Sequence, residues 1–254
     1  MSMDYLISIL AFSLIISLLL IPTAFSQQSD LLNKVCITTS QNYTQNSTFS
    51  KNLKNLLDDL YTKTPHQNHL FMDETTGQGP DKTYGLALCR GDVSPDYCDF
   101  CLYDARCKIT QRCYKKSAIV MYDYCQVKYS DVNFFGKIDN TNDNILINYY
   151  NVSANQTGKF KDASIGLLRN LSKKASQSKN KFGRGEKLFD KKENVTIYGM
   201  VQCTQDLSYD SCKKCLDGAV TKLPIYKGEI YSVGARVIGW SCTVRYEEYS
   251  FDQW

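Results

Sequence analysis

YGLALCRGDVSPDYCDFC, residues 84–101, returns as YGMVQCTQDLSYDSCKKC at residues 198–215. Each copy sets Tyr-Gly ahead of a cysteine. An Asp and a Ser follow, and then two more cysteines, in the spacing C-x8-C-x2-C. Cys89, Asp92, Ser94, Cys98 and Cys101 thus match Cys203, Asp206, Ser208, Cys212 and Cys215. Further on, CQVKY at Cys125–Tyr129 matches CTVRY at Cys242–Tyr246, with three extra residues in the second copy. Agreement at this many positions over a period above 100 residues marks two tandem domains and not a short-period solenoid.

Working outward, hydrophobic periodicity supplies the elements. Leu53, Leu56, Leu57 and Leu60 recur at the spacing of one helix face, and Phe160, Ile165, Leu168 and Leu171 do the same in the second copy. Ser94-Pro95 and Ser208 have the chemistry of helix starts, a capping hydroxyl followed in one case by proline at the first helical position. Each start opens a second helix carrying the C-x2-C pair. Thr83–Cys89, Ala118–Cys125 and Val127–Ser130 are β-rich, as are Thr196–Cys203, Ala235–Cys242 and Thr243–Tyr249. The expected fold is α+β: two tandem domains, each with two helices packed on an antiparallel sheet and stapled by disulfides. Boundaries are expected at 29–132 and 138–250, joined by the Asn- and Asp-rich stretch from Val132 to Asn144.

The N-terminus points to secretion. Tyr5 to Ile21 is apolar apart from serines and Tyr5, and small residues Ala24 and Ser26 precede Gln27. Residues 1–26 are therefore expected to be a signal peptide cleaved after Ser26. No other run approaches the length of a membrane span, so neither a permanent anchor nor a cytoplasmic kinase domain is expected. Six Asn-x-Ser/Thr acceptors, at Asn42, Asn46, Asn151, Asn155, Asn170 and Asn194, become expected glycan sites in a secretory chain.

Net charge is +4, too small to argue for a nucleic-acid partner. Lys173, Lys174, Lys179, Lys181, Arg184, Lys187, Lys191 and Lys192 cluster, but among Ser, Asn and Gly. That stretch reads as a solvated loop, with a patch for anionic glycans or phospholipid headgroups as the sharper reading.

Eleven cysteines in a secreted chain imply disulfides with one left over. Zinc fits the C-x2-C spacing, but an oxidising compartment and separate domains argue against it. A thioredoxin-like centre would use C-x2-C as its own bridge, whereas each copy here offers a third cysteine nine residues upstream. Catalysis has little else. His66 and His69, the two histidines, sit in a polar loop beside Pro65, with no nucleophile motif and no Gly-rich phosphate loop. Adjacent acids such as Asp58-Asp59 and Glu247-Glu248 point different ways. No enzyme activity, cofactor or metal is expected.

The repeated C-x8-C-x2-C, the Tyr-Gly before it and the Cys-x3-Tyr ending resemble plant cysteine-rich repeat secretory proteins. Their domain also forms the ectodomains of cysteine-rich receptor-like kinases and the antifungal seed protein ginkbilobin. The resemblance implies bridges Cys36–Cys113, Cys89–Cys98 and Cys101–Cys125 in copy one, and Cys203–Cys212 and Cys215–Cys242 in copy two. Copy two lacks both partners of the third bridge, whose places fall near Tyr149-Tyr150 and Ile225-Tyr226. Losing the bridge should leave copy two the less stable half. Cys107 is the odd thiol, expected buried on the second helix or else in an intermolecular disulfide.

The resemblance also implies a mannose site of Asn, Arg and Glu. Arg236 stands six residues before Cys242 and Glu247 follows Tyr246; copy one has Ile119 and Ser130 there. The Asn of the family's site follows the first cysteine, which copy two lacks, and Asn151 is the nearest candidate. Guanidinium donates, carboxylate accepts and the amide does both, a set that can fix vicinal hydroxyls. The competing reading is an Arg–Glu pair across neighbouring strands. The expected function is a secreted, non-enzymatic, mannose-type carbohydrate-binding module in antifungal or stress defence in the apoplast. The alternative is a protein-interaction module without sugar, its partners being cell-surface proteins.

Overall fold

The computed structural model describes residues 29–66, 70–139, 143–223 and 231–251. The expected signal peptide, His69, Ile225 and Tyr226 lie outside them. In the first domain the elements are β1 (Leu31–Cys36), α1 (Thr48–His66), β2 (Phe71–Thr76), β3 (Thr83–Cys89), α2 (Pro95–Ile109), β4 (Ala118–Tyr122) and β5 (Cys125–Ser130). The second repeats them as β6 (Asn144–Ile147), α3 (Thr157–Gln177), β7 (Phe182–Asp190), β8 (Val195–Cys203), α4 (Tyr209–Thr221), β9 (Ala235–Ile238) and β10 (Cys242–Glu247). Strand orders β1-β4-β5-β3-β2 and β6-β9-β10-β8-β7 are the same topology, antiparallel throughout. The fold is the expected two-domain α+β arrangement.

Each helix forms where its apolar face can be covered. Phe49, Leu53, Leu56, Leu57 and Leu60 of α1 bury against Ala87, Val120, Val127 and Tyr129 of the sheet. In the second domain Phe160, Leu168 and Leu171 do so against Ile197, Val201, Val244 and Tyr246. The glycine of the repeated Tyr-Gly is what lets helix and sheet meet. A Cβ on Gly85 would lie 2.8 Å from Leu56 Cδ2, and one on Gly199 3.0 Å from Leu167 Cδ2. Ser94 and Ser208 cap α2 and α4, each hydroxyl accepting from the backbone N–H three residues on, with Pro95 opening α2.

Five disulfides are present: Cys36–Cys113, Cys89–Cys98, Cys101–Cys125, Cys203–Cys212 and Cys215–Cys242. These are the pairs the resemblance implied. Cys107 is free but exposed, which corrects its expected burial. The buried face of α2 is Cys98, Cys101, Leu102, Ala105 and Ile109; Cys107, two residues from Ala105, is turned about 200° away from it.

Four strands go beyond the sequence reading: β1, β2, β6 and β7. The basic stretch is not one loop. Lys173 and Lys174 end α3, and Arg184 and Lys187 lie in the nine-residue strand β7. Asn144, expected in the linker, opens β6. Side chains alternate along the central strands, so each sheet has a second, helix-free face. Those two faces pack together. Ile119 and Met121 of β4 meet Ile238 and Trp240 of the second domain, joined by Leu32, Val35, Ile37 and Leu146. Polar ties cross the same junction: Gln202 Nε2 donates to Cys89 O at 2.9 Å, and the Gly136 N–H to Asp206 Oδ2 at 2.7 Å.

Candidate functional site

Two of the residues singled out for ligand chemistry, Arg236 and Glu247, fall on the helix-free face of the second sheet, at its β6–β9–β10 side. In β10, Cys242, Val244 and Tyr246 enter the core, so Thr243, Arg245 and Glu247 turn the other way. Arg236 of β9 stands opposite Arg245 in the ladder, and Leu146 of β6 opposite Arg236. One step along, the Asn148 N–H donates to Gly234 O at 2.8 Å. Gly234 in turn lies under Glu247, since a Cβ there would sit 1.6 Å from Glu247 Oε2. Asn148, Gly234 and Glu247 thus form one row across three strands, and Leu146, Arg236 and Arg245 the next.

That row changes the placing of the amide. Cys36 opposes Ala118, Ile147 opposes Ala235, and the two alanines are equivalent in the repeat. The place of Cys36 in copy two is therefore Ile147, not Tyr149-Tyr150. The residue after it is Asn148. Asn151, named from sequence, lies beyond the strand, exposed, in an isolated bridge to Ser232. The missing cysteine removed the landmark from which the position is counted; the strand register restores it.

The charged groups at this corner close on one another. Asp123, in the β4–β5 turn of the first domain, pairs with Arg236 Nη1 through Oδ1. The same carboxylate lies 3.6 Å from Arg245 Nη1 and 3.3 Å from Arg90 Nη1. Arg245 donates from Nε to Glu247 Oε1 at 3.0 Å and from Nη2 to Tyr249 Oη at 3.1 Å. Arg90 Nε holds Asp92 at 2.6 Å, and its Nη2 reaches Phe251 O at 3.2 Å. Phe251 lies 4.2 Å from the Arg245 guanidinium, ring to cation. Glu247 Oε2 is buried without a hydrogen-bond donor. The cleft bordered by Arg90, Asp123, Arg236 and Arg245 has only about 60 Å³ of free space.

Beneath the corner, Tyr246 donates from its hydroxyl to Ser232 O at 3.0 Å and stacks on Tyr231 at 5.4 Å. Burial raises both phenols above the ordinary tyrosine value, Tyr246 the more strongly. In the first domain Ile119 and Ser130 occupy the Arg and Glu places, and Ile119 belongs to the apolar junction. The free Cys107 borders a separate open groove of about 480 Å³ with Tyr43, Leu53, Arg106 and Tyr114. Among the described residues no three His, Cys, Asp or Glu side chains gather as metal ligands. Nor is any helix of the described residues long and apolar enough to cross a membrane. Sequence reasoning missed Asp123, Arg245 and Asn148. Asp123 follows the strand Ala118–Tyr122, but nothing local to it signals a partner on the other domain.

Comparison with known proteins agrees with this frame. The family described as salt stress response/antifungal matches residues 35–132 and 148–249. An antimicrobial ginkbilobin-2-like protein of Castanea crenata is 43% identical over 225 residues, covering 88% of this chain and 89% of that one. Cysteine-rich repeat secretory protein 38 of Arabidopsis thaliana is 42% identical over 230 residues, covering 89% and 87%. The tandem DUF26 ectodomain of an Arabidopsis thaliana cysteine-rich receptor-like protein superposes with a TM-score of 0.72 at 24% identity, over 88% of this chain and all of that one.

Proposed function

The chain belongs to the salt stress response/antifungal family, and on that footing we propose that it works outside the cell as a non-enzymatic recognition module of stress or antifungal defence, engaging proteins and not free mannose. One observation carries the choice of ligand class. Arg236, the guanidinium a sugar would need, is bound to Asp123 of the other domain, in a junction sealed by Arg90, Arg245 and Glu247. Releasing it would break this half-buried ion pair and leave Asp123 to Arg90 and Arg245 alone, which opposes binding.

The surrounding reading is that residues 1–26 are removed on secretion, the domains span 29–132 and 138–250, and the protein acts in the apoplast. All six glycan acceptors lie on exposed backbone, which suits a secreted glycoprotein.

A sugar reading has its own support. Asn148, Gly234 and Glu247 align in one row, and the bare Glu247 Oε2 could accept from a hydroxyl. Calorimetric titration with mannose separates the two. The wild-type chain is expected to give no saturable heat, and affinity capture from extracellular fluid to return partners that survive deglycosylation. Saturable mannose binding lost in Arg236→Ala replaces this proposal with the lectin.

A further inference from the structure

Among the described residues each sheet ends on two edge strands, so four rows of backbone groups without a strand partner face outward: β1, β2, β6 and β7. Such edges invite pairing with another chain, and proteins blunt them with charges and bulges. Three of the four are blunted. β1 carries Lys34 and a register shift between Leu31 and Asn33. β2 carries Asp73 and Glu74. β7 carries Arg184, Glu186 and Lys187, with a shift between Leu188 and Asp190.

β6 is left open. From Asn144 to Asn151 there is no charge, proline or glycine. The repeat shows what has been removed. Lys34 of β1 opposes Val120 and Ile145 of β6 opposes Val237, so the guarding lysine has become isoleucine. Cys36, held by its bridge, has become Ile147. Ile145 is 39% exposed, Ile147 43%, Tyr149 90% and Tyr150 71%.

The strand is also self-complementary. Asn144-Ile145-Leu146-Ile147-Asn148 reads the same in both directions. Because the Asn148 N–H bonds inward to Gly234, the alternation of an antiparallel ladder turns the N–H and C=O groups of Ile145 and Ile147 outward. Antiparallel pairing of two copies about Leu146 then sets Ile145 of each against Ile147 of the other, the outward groups facing each other as hydrogen-bonded pairs. Asn144 meets Asn148, and Leu146 meets itself on the two-fold axis. Self-pairing brings like residues together, so any charge here would repel, and there is none. A closed, isologous contact of this kind is the commonest form of oligomer symmetry.

We propose that β6 is the docking site for a second copy of this chain, joining two second-domain sheets into one ten-stranded sheet across a two-fold axis. The glycan acceptors Asn151 and Asn155 fall outside the paired residues, and of the residues at the apolar domain junction only Leu146 lies in the contact.

Sedimentation of the secreted full-length chain against concentration tests this. The wild type is expected to show a reversible monomer–dimer equilibrium. Ile145→Lys, which restores the lysine of β1, and Ile147→Lys, both at exposed positions, should weaken the dimer roughly tenfold or more while keeping the wild-type circular dichroism and melting temperature. Leu146→Cys, at the axis, should trap the dimer as a disulfide on a non-reducing gel. Cys107→Ser should leave the equilibrium unchanged. A wild type that stays monomeric to its solubility limit overturns the proposal. So does a dimer that survives both lysine variants, one that disappears in Cys107→Ser, or association only with a different protein through this edge.

Discussion

Single atoms decide the tightest places in this molecule. A methyl on Gly234 would displace the Glu247 carboxylate and its bond from Arg245. Gly234→Ala is expected to lower stability by about 1–3 kcal/mol in a urea titration, the usual range for overfilling a packed site. Gly166 is the contrast: it lies exposed inside α3 with nothing within 4 Å of its would-be Cβ. Gly166→Ala should raise stability by about 0.5–1 kcal/mol, because alanine has less backbone freedom to lose in a helix. Buried phenols set the alkaline limit. Desolvation raises Tyr129 and Tyr246 well above the usual tyrosine value, and their hydroxyls donate to Lys115 O at 2.8 Å and Ser232 O at 3.0 Å. The unfolded chain ionises near pH ~10 while the folded one holds its protons. The stabilisation is therefore complete below that pH and is lost as pH rises above it. A tyrosinate absorbance titration should show these rings ionising together with loss of near-UV circular dichroism; early ionisation without unfolding contradicts the assignment.

At the scale of elements, caps and bridges carry the repeat. Ser94→Ala removes the hydroxyl that accepts from the Tyr97 N–H and should lower stability by about 1 kcal/mol. The Cys36–Cys113 bridge closes a sequence separation of 77, worth about 4 kcal/mol in the chain-entropy model. The double variant Cys36→Ser, Cys113→Ser should show most of that loss in thermal melting. Elements whose apolar residues keep one period were legible: α1 by its leucines, α2 and α4 by caps and C-x2-C, and the central strands by alternation. Edge strands were not. Phe71–Thr76 pairs on one side only and puts acids in its middle, while Phe182–Asp190 mixes glycines with charges, so a strand there reads as a loop. The candidate site was half legible for the same reason. Arg236 and Glu247 could be counted from a cysteine that is present, whereas Asn148 could be counted only from one that is absent.

The whole molecule is two sheets pressed face to face, and that junction follows from tertiary packing alone, since Ile119 and Ile238 look like ordinary strand residues until their partners are known. Asp123 holds Arg236 and Arg245 across it and Arg90 of its own domain. Asp123→Ala leaves them without that counter-charge and should lower the melting temperature, by an amount equivalent to about 2–4 kcal/mol. Calorimetry is expected to show one cooperative transition in the wild type, with the half lacking the third bridge supported by its neighbour. Two well-resolved transitions in the wild type would show the junction to be weak. The uneven bridging also matters for survival among extracellular proteases. A single cut anywhere from residue 37 to 112 leaves its fragments tied through Cys36 and Cys113. The exposed turn at Lys191–Asn194 lies outside every disulfide loop. One cut there parts the chain into pieces with no covalent tether, so degradation of this protein is expected to begin at the β7–β8 turn.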